Sequence, residues 1–347
     1  MQNVDYIEFK KLFNLKRKQA YNNSKLDYCL CCKNKVTSFC KSHSLPKFVL
    51  KNIAKKGMVL TSNQYFKMPL INESVGVKDG GTFFRICHKC DNEMFKDYES
   101  IDKISKKPNK KIMTQIDLKN TLKMYDKRLT EIEIYNFMLE EKLSKEQYLN
   151  VLEIQKINML DLSEIKNEFD EDIKILKKES TSGFELIFWK KLQYITPIAF
   201  QGHIALYGDL KGNIINDIYN KSSNYIIENI NICIFPLETE TIVMMFISKE
   251  NKKYYEFIKQ FKQLSDQNKL NLIAFIIINY SEDFFISQDA SKKILNNVIL
   301  EMSVKKTTNI IALDEKMLKE IKEIKRHELM NYKSIPNLLD ERYALNK

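Results

Sequence analysis

The sequence predicts an α+β protein in three parts: a zinc-stapled N-terminal domain, a helical connector, and a mixed, mainly antiparallel α+β domain. Three observations predict it. Six of the seven cysteines lie between Cys29 and Cys90. The stretch from Ile112 to Glu179 holds neither glycine nor proline. From Gly183 onward, short apolar runs alternate with turn residues. The corresponding boundaries are 1–105, 106–182 and 183–347.

The first part rests on its thiols. The opening stretch "MQNVDYIEFKKLFNLKRK" mixes charges with apolar residues and has no signal-peptide core. In such a chain, expected to be cytoplasmic, clustered cysteines read as metal ligands rather than as a disulfide framework. Zinc takes four soft ligands in a tetrahedron, usually as two close pairs. Cys29 and Cys32 form the first C-x-x-C pair, and Cys87 and Cys90 form the second. The gap of 54 residues between Cys32 and Cys87 is long enough to require structure of its own. Cys31 and Cys40 are spare. Cys31 could replace a neighbour, and His88 could compete with Cys87 or Cys90. Cys233, among apolar residues in "NICIFPL", reads as a core thiol.

Within that gap, "SFCKSHSLPKF" places His43 near the end of an expected strand, three residues before Pro46. A second strand is expected at Thr82–Ile86, and a helix from "DNEMFKDYE". Asp91 suits either the N-cap of that helix or a metal site.

Taken in order, Cys29/Cys32, "SHSLP", Cys87/Cys90 and Asp91 resemble the HNH endonucleases, the zinc-stapled branch of the ββα-metal nucleases. The resemblance covers about residues 25 to 100. It implies a treble-clef-like ββα-metal domain with structural Zn²⁺ on Cys29, Cys32, Cys87 and Cys90. It also implies a catalytic Mg²⁺ or Mn²⁺ on Asp91, with His43 as the general base that activates water. Asn92 or Glu93 would assist. The chain departs from the pattern at two places. Ser42 stands where the family has a second metal ligand. Gly81 and Thr82 stand where it has an asparagine, for which Asn63 and Asn72 are the substitutes on offer.

The connector follows from periodicity. Leu122, Tyr125, Leu129, Ile132, Tyr135 and Leu139 recur at helical spacing, and "LSKEQ" marks a break that Ser144 could cap. A helical hairpin is expected, as a spacer without chemistry. In the third part, Gly208-Asp209 and Lys211-Gly212-Asn213 predict a hairpin turn, and "INICIFPLETETIVMMFIS" predicts two strands. "KKYYEFIKQFKQLSDQ" reads as a helix, "LNLIAFIIIN" as a buried strand, "ISQDASKKILNNVILEM" as a capped helix and "LDEKMLKEIKEIKRHELM" as an amphipathic helix. His203 reads as a strand residue. Glu282 and Asp283 read as a turn.

Charge narrows the partners. The net charge is +11, and residues 1–110 carry 22 Lys+Arg against 10 Asp+Glu. The remainder is close to neutral. A basic excess confined to one module points to a polyanion, DNA ahead of RNA. Lys33, Lys35, Lys41, Lys47, Arg85 and Lys89 are the candidate phosphate contacts. No apolar run approaches the ~20 residues that span a bilayer, so no membrane role is expected. The connector and C-terminal domain leave room for a protein partner or a second copy. The first reading is a metal-dependent nuclease that hydrolyses phosphodiester bonds, with a C-terminal recognition or regulatory domain, of a kind suited to bacterial or phage defence; the alternatives are a non-catalytic zinc module that holds nucleic acid and an interaction scaffold.

Overall fold

The computed structural model describes residues 6–61, 73–220, 222, 224–281, 284–295 and 315–345. It is a mixed α+β structure whose sheets are antiparallel. The substitute residues Asn63 and Asn72, the acids Glu282 and Asp283, and residues 296–314 lie outside the described residues.

The N-terminal third begins with α1 (Tyr6–Asn23). The first cysteine loop follows, then β1 (Ser42–His43), α2 (Lys47–Ile53), β2 (Met58–Thr61), β3 (Glu73–Gly76) and β4 (Thr82–Phe83). Helices α3 (His88–Phe95) and α4 (Ile101–Ile104) complete it. Strands β1 and β4 form a two-stranded antiparallel ladder, with Ser42 opposite Phe83 and His43 opposite Thr82. Helix α3 starts at His88 with Cys87 as its N-cap. Asp91 therefore sits one turn into the helix and does not cap it.

The hairpin is α5 (Lys110–Glu140) and α6 (Lys145–Leu176). Ser144 caps α6 as predicted, in a reciprocal box with Gln147. Its placement differs from that of a spacer. All eleven positions from Ile112 to Leu122 are buried, including Asp117, Lys119 and Asn120. One side of α5 faces the cysteine-bearing third and another faces the sheet.

The C-terminal strands are β5 (Phe184–Leu192), β6 (Ile198–Ile204), β7 (Ile230–Pro236), β8 (Thr241–Ser248) and β9 (Phe285–Ile286). With β2 and β3 they form one seven-stranded sheet, in the order β3-β2-β9-β6-β7-β8-β5. The short β9 joins the two ends of the chain: Ile286 pairs with Leu60 of β2 on one side and Ile198 of β6 on the other. The sheet and the core beneath it thus run across residues 105 and 182.

Burial on both faces explains the unbroken apolar runs of β7 and β8. Ile230, Ile232 and Ile234 pack in one core with α7 (Tyr255–Gln263) and α8 (Asp266–Tyr280). Cys233 and Phe235 point the other way, into a core shared with α2, α3 and α5. Cys233 is fully buried, as its apolar setting predicts.

The expected strand "LNLIAFIIIN" is instead most of α8. Leu270 and Leu272 to Asn279 are all buried, so the helix is apolar around its whole circumference and shows no amphipathic period. Ser265 caps it, accepting from the Asn268 N–H at 3.3 Å. The expected hairpin after β6 is reduced to one bridge, Gly208 to Ile214, around Asp209. Among the described residues, two further α-helices follow, α9 (Lys292–Leu295) and α10 (Glu315–His327). Among the described residues, no helix is long and apolar enough to cross a membrane.

Candidate metal centre

Two bonds donated by main-chain N–H groups bring the distant cysteine pairs together. The Leu30 N–H donates to the Arg85 carbonyl at 3.0 Å, and the Cys87 N–H donates to Cys29 Sγ at 3.3 Å. The first loop is a tight turn: Cys29 N–H donates to Asn34 O, and Lys33 N–H to Cys29 O. Lys33 closes it in a left-handed conformation, φ 60°. The second pair brackets the start of α3.

The sulfurs of Cys29, Cys32, Cys87 and Cys90 all lie within 4.8 Å of one another, and Cys32 and Cys87 are 4.0 Å apart. A tetrahedron with metal–sulfur bonds of about 2.3 Å has edges of roughly 3.8 Å, so these four could hold a metal ion. The donor set is compatible with structural zinc. The Cys31 thiol hydrogen-bonds to Cys29 and Cys90. That bond, aided by backbone N–H groups and opposed by burial, holds Cys29 well below the usual thiol range. Cys40 stands apart, its Sγ donating to Asp91 Oδ2 at 3.3 Å. His88 is exposed on α3.

Around Asp91 the structure builds a closed charge network. Ser42 Oγ donates to Asp91 Oδ1 at 2.6 Å. Lys119 Nζ donates to both, at 2.8 Å to Ser42 Oγ and 2.9 Å to Asp91 Oδ1, and pairs with Glu99 at 3.2 Å. The Lys119 side chain is wholly buried and its ammonium lies 3.7 Å from the Phe95 ring centroid. Burial pushes Asp91 up, but the Lys119 charge and the three hydrogen bonds outweigh it and hold the carboxyl below its ordinary range. Burial raises Glu99, and the neighbouring Asp91 adds to that.

His43 is on the other face of β1. Successive residues of a strand point to opposite sides, and Ser42 takes the side of Asp91. His43 donates from Nε2 to the Val77 carbonyl at 3.2 Å. Burial holds it below the usual histidine range, and Lys47, Lys119 and Lys41 add to the shift. Of the three residues named for catalysis, His43 bonds to Val77 while Asp91 bonds to Ser42, Lys119 and Cys40. Asn92 is exposed on α3.

Of the candidate phosphate contacts, Arg85 is withdrawn. It is buried, its Nε on Asp126 at 2.6 Å and its guanidinium on the Ser24 carbonyl and hydroxyl. It braces α1 and α5. Lys33, Lys35, Lys41, Lys47 and Lys89 are exposed. Lys41 pairs with Asp79, and Lys35 lies 3.8 Å from Asp27. An open groove of about 880 Å³ runs from Cys31, Cys32 and Cys90 to α6, and Lys33, Lys96, Lys111, Lys174 and Lys177 line it.

Sequence reasoning missed Lys119. The signal was present: Ile116 and Leu122, three residues to either side, put this lysine on the apolar stripe of α5. No protein-family model matches the chain, and no curated protein or solved structure matches it.

Proposed function

We propose that this protein holds nucleic acid without cutting it, through a zinc-stapled module of ββα design. The order of parts supports the design: a C-x-x-C turn, the β1/β4 ladder, and a helix opening on the second C-x-x-C. Four thiolates in a tetrahedral spacing suit Zn²⁺, which would tie the turn to α3 and supply folding energy rather than chemistry.

One observation favours holding over cutting. The resemblance to the HNH nucleases places the catalytic cation between the residues at 42 and 91. In this chain the Lys119 ammonium lies between Ser42 and Asp91, bonded to both. A buried ammonium there supplies the positive charge that a divalent cation would bring, yet it offers no open coordination site to a phosphate. His43 gives its Nε2–H to the Val77 carbonyl rather than to that position.

The basic excess of residues 1–110 supports a polyanionic partner. The contacts on offer are Lys33, Lys47 and Lys89, together with the groove lysines Lys96 and Lys177.

The test uses the full chain with labelled DNA and RNA, single-stranded and duplex, with Mg²⁺ or Mn²⁺ present. The expected result is binding that weakens steeply between low and moderate salt, with every strand intact. Cleavage that disappears in His43→Ala would restore the nuclease. Absence of binding at low salt would remove nucleic acid from the account and leave the scaffold reading.

A further inference from the structure

A second hollow adjoins the groove beside the thiols. It holds about 380 Å³ and is lined by Tyr28, Leu30, Lys33, Tyr125, Lys166 and Phe169. Lys33 and Phe169 line both, so the two hollows meet there. The Phe169 side chain is almost wholly covered, and the Lys33 ammonium lies 5.3 Å from its ring centroid. One channel therefore runs from the tyrosines, past Lys33, to the thiol loop and the C-terminal end of α6.

The two ends of the channel differ in chemistry. At the thiol end the lining is basic. Lys96 follows α3, Lys111 lies in the first turn of α5, and Lys174 and Lys177 close α6. Lys166 stands eleven residues before Lys177. That is about three helical turns, so both lie on one face of α6, about 16 Å apart along its axis. Across the two hollows six lysines stand against three acids, Glu93, Asp170 and Glu179. Lys111 is held by Asp97 and Lys174 by Glu171. Lys96, Lys166 and Lys177 are exposed, with no ion-pair partner among the described residues. Free ammonium groups strung along a channel suit a row of phosphates.

At the other end the lining is aromatic. Tyr28, beside Cys29, and Tyr125, on α5, are half-buried. They are neighbours: burial raises Tyr125, and Tyr28 adds to the shift. Unpaired bases use such a place, because every base offers a face that stacks on an aromatic ring. A duplex keeps its bases stacked on one another and has none to insert.

On the reading that this protein holds nucleic acid, we propose that the channel takes single strands. The phosphates follow Lys177, Lys96 and Lys166, and an unpaired base enters the hollow lined by Tyr28 and Tyr125. Lys33, where the two hollows meet, serves the phosphate next to that base. Stacking on tyrosine does not depend on the sugar, so DNA and RNA strands both qualify.

The test uses the full chain and labelled strands of about a dozen nucleotides, as DNA and as RNA, free and annealed to their complements. Fluorescence anisotropy measures the affinity. At one salt concentration, single strands should bind at least ~10-fold more tightly than duplexes. A DNA strand of the same length built of abasic sites keeps every phosphate and loses the bases. It should bind at least ~5-fold more weakly than the complete strand. Tyr28→Ala should lose ~5-fold or more toward the complete strand and nothing toward the abasic one, and Tyr28→Phe should keep the wild-type affinity. Lys166→Ala should weaken both strands alike and lower the dependence on the logarithm of salt by about one unit. Duplexes bound as tightly as single strands, or an abasic strand bound as tightly as the complete one, would overturn the proposal and leave the nucleic-acid reading standing. Absence of binding to any of these at low salt would remove both.

Discussion

Two buried charged centres lie on opposite sides of α5, one reached by Lys119 and the other by Asp117, and they are built on opposite terms. On the side of the cysteines, one buried ammonium, Lys119, serves two carboxyl groups, Asp91 and Glu99. Asp91 has Lys119, Ser42 and Cys40, and Arg85 has Asp126 and Ser24. On the side of the sheet, three carboxyl groups, Asp117, Glu168 and Asp172, gather around His203, and Asp117 and Asp172 hydrogen-bond to each other. Low dielectric makes an unmatched group costly. The first centre is therefore braced by an ammonium, and the second by His203 and by the bond between its own carboxyl groups.

The largest effect is expected from the thiols. Cys87→Ser removes one of the four sulfurs that could hold a metal ion, and structural zinc, the proposed occupant, contributes on the order of 10 kcal/mol to small domains. The N-terminal strands share a sheet with β6 through β9, and the thiol loop shares a core with Phe235 and Phe246. The loss should consequently reach the sheet. The variant is expected to lose its zinc by elemental analysis and to melt far below the wild-type protein by circular dichroism. A chain that melts unchanged without the metal would show that the two halves are braced independently.

The next effect tests the matching itself. Lys119→Met leaves Asp91 buried without its counter-charge, at a cost of roughly 3–5 kcal/mol. Adding Asp91→Asn should restore much of that, which a urea titration of both variants would show. The sign with pH follows from the carboxyl. Asp91 lies below its ordinary 3.8, so its contribution is present above that value and lost as pH falls through the lower, folded value. In Lys119→Met only burial and the remaining hydrogen bonds act on Asp91, and this acid-side loss should shrink. If the wild-type protein and the Lys119→Met variant show the same acid limb, the pair is no brace.

How much of this was legible in the sequence differs between the centres for a physical reason. The thiol site could be read because its ligands come as two short C-x-x-C motifs, and one spacing reports two donors at once. The second centre has no such spelling. Asp117 and His203 are 86 residues apart and meet only when the hairpin packs on the sheet. Their neighbourhood leaves a weaker mark. Asp172 stands on the apolar stripe of α6, between Phe169 and Ile175, as Lys119 does between Ile116 and Leu122 on α5. A charged residue on a buried stripe signals a partner without naming it. The helix α8 failed for the complementary reason: with apolar residues on every side it has no period to read. Ser42 and His43 are neighbours along the chain, but strand alternation, which order does not reveal, gives Asp91 to Ser42 and not to His43.

The smallest effect concerns the one strained residue at the rim of the thiol site. Lys33 is exposed, holds φ at 60°, and sets its ammonium 5.3 Å from the Phe169 ring centroid at the mouth of the groove. A side chain in the left-handed region costs about 1–2 kcal/mol. Lys33→Gly removes that cost but loosens the unfolded chain by roughly 0.5–1 kcal/mol. An exposed cation–π contact worth about 0.5 kcal/mol is lost as well. These terms nearly cancel, so stability should change by less than ~1 kcal/mol. Nucleic-acid binding should fall, and its dependence on the logarithm of salt should lessen by about one unit. Lys33→Ala keeps the strained backbone while losing the ammonium. It should match glycine in binding and fall below it in stability. Equal binding by lysine, alanine and glycine would place the polyanion elsewhere and leave Lys33 as a turn residue whose strain serves the metal loop alone.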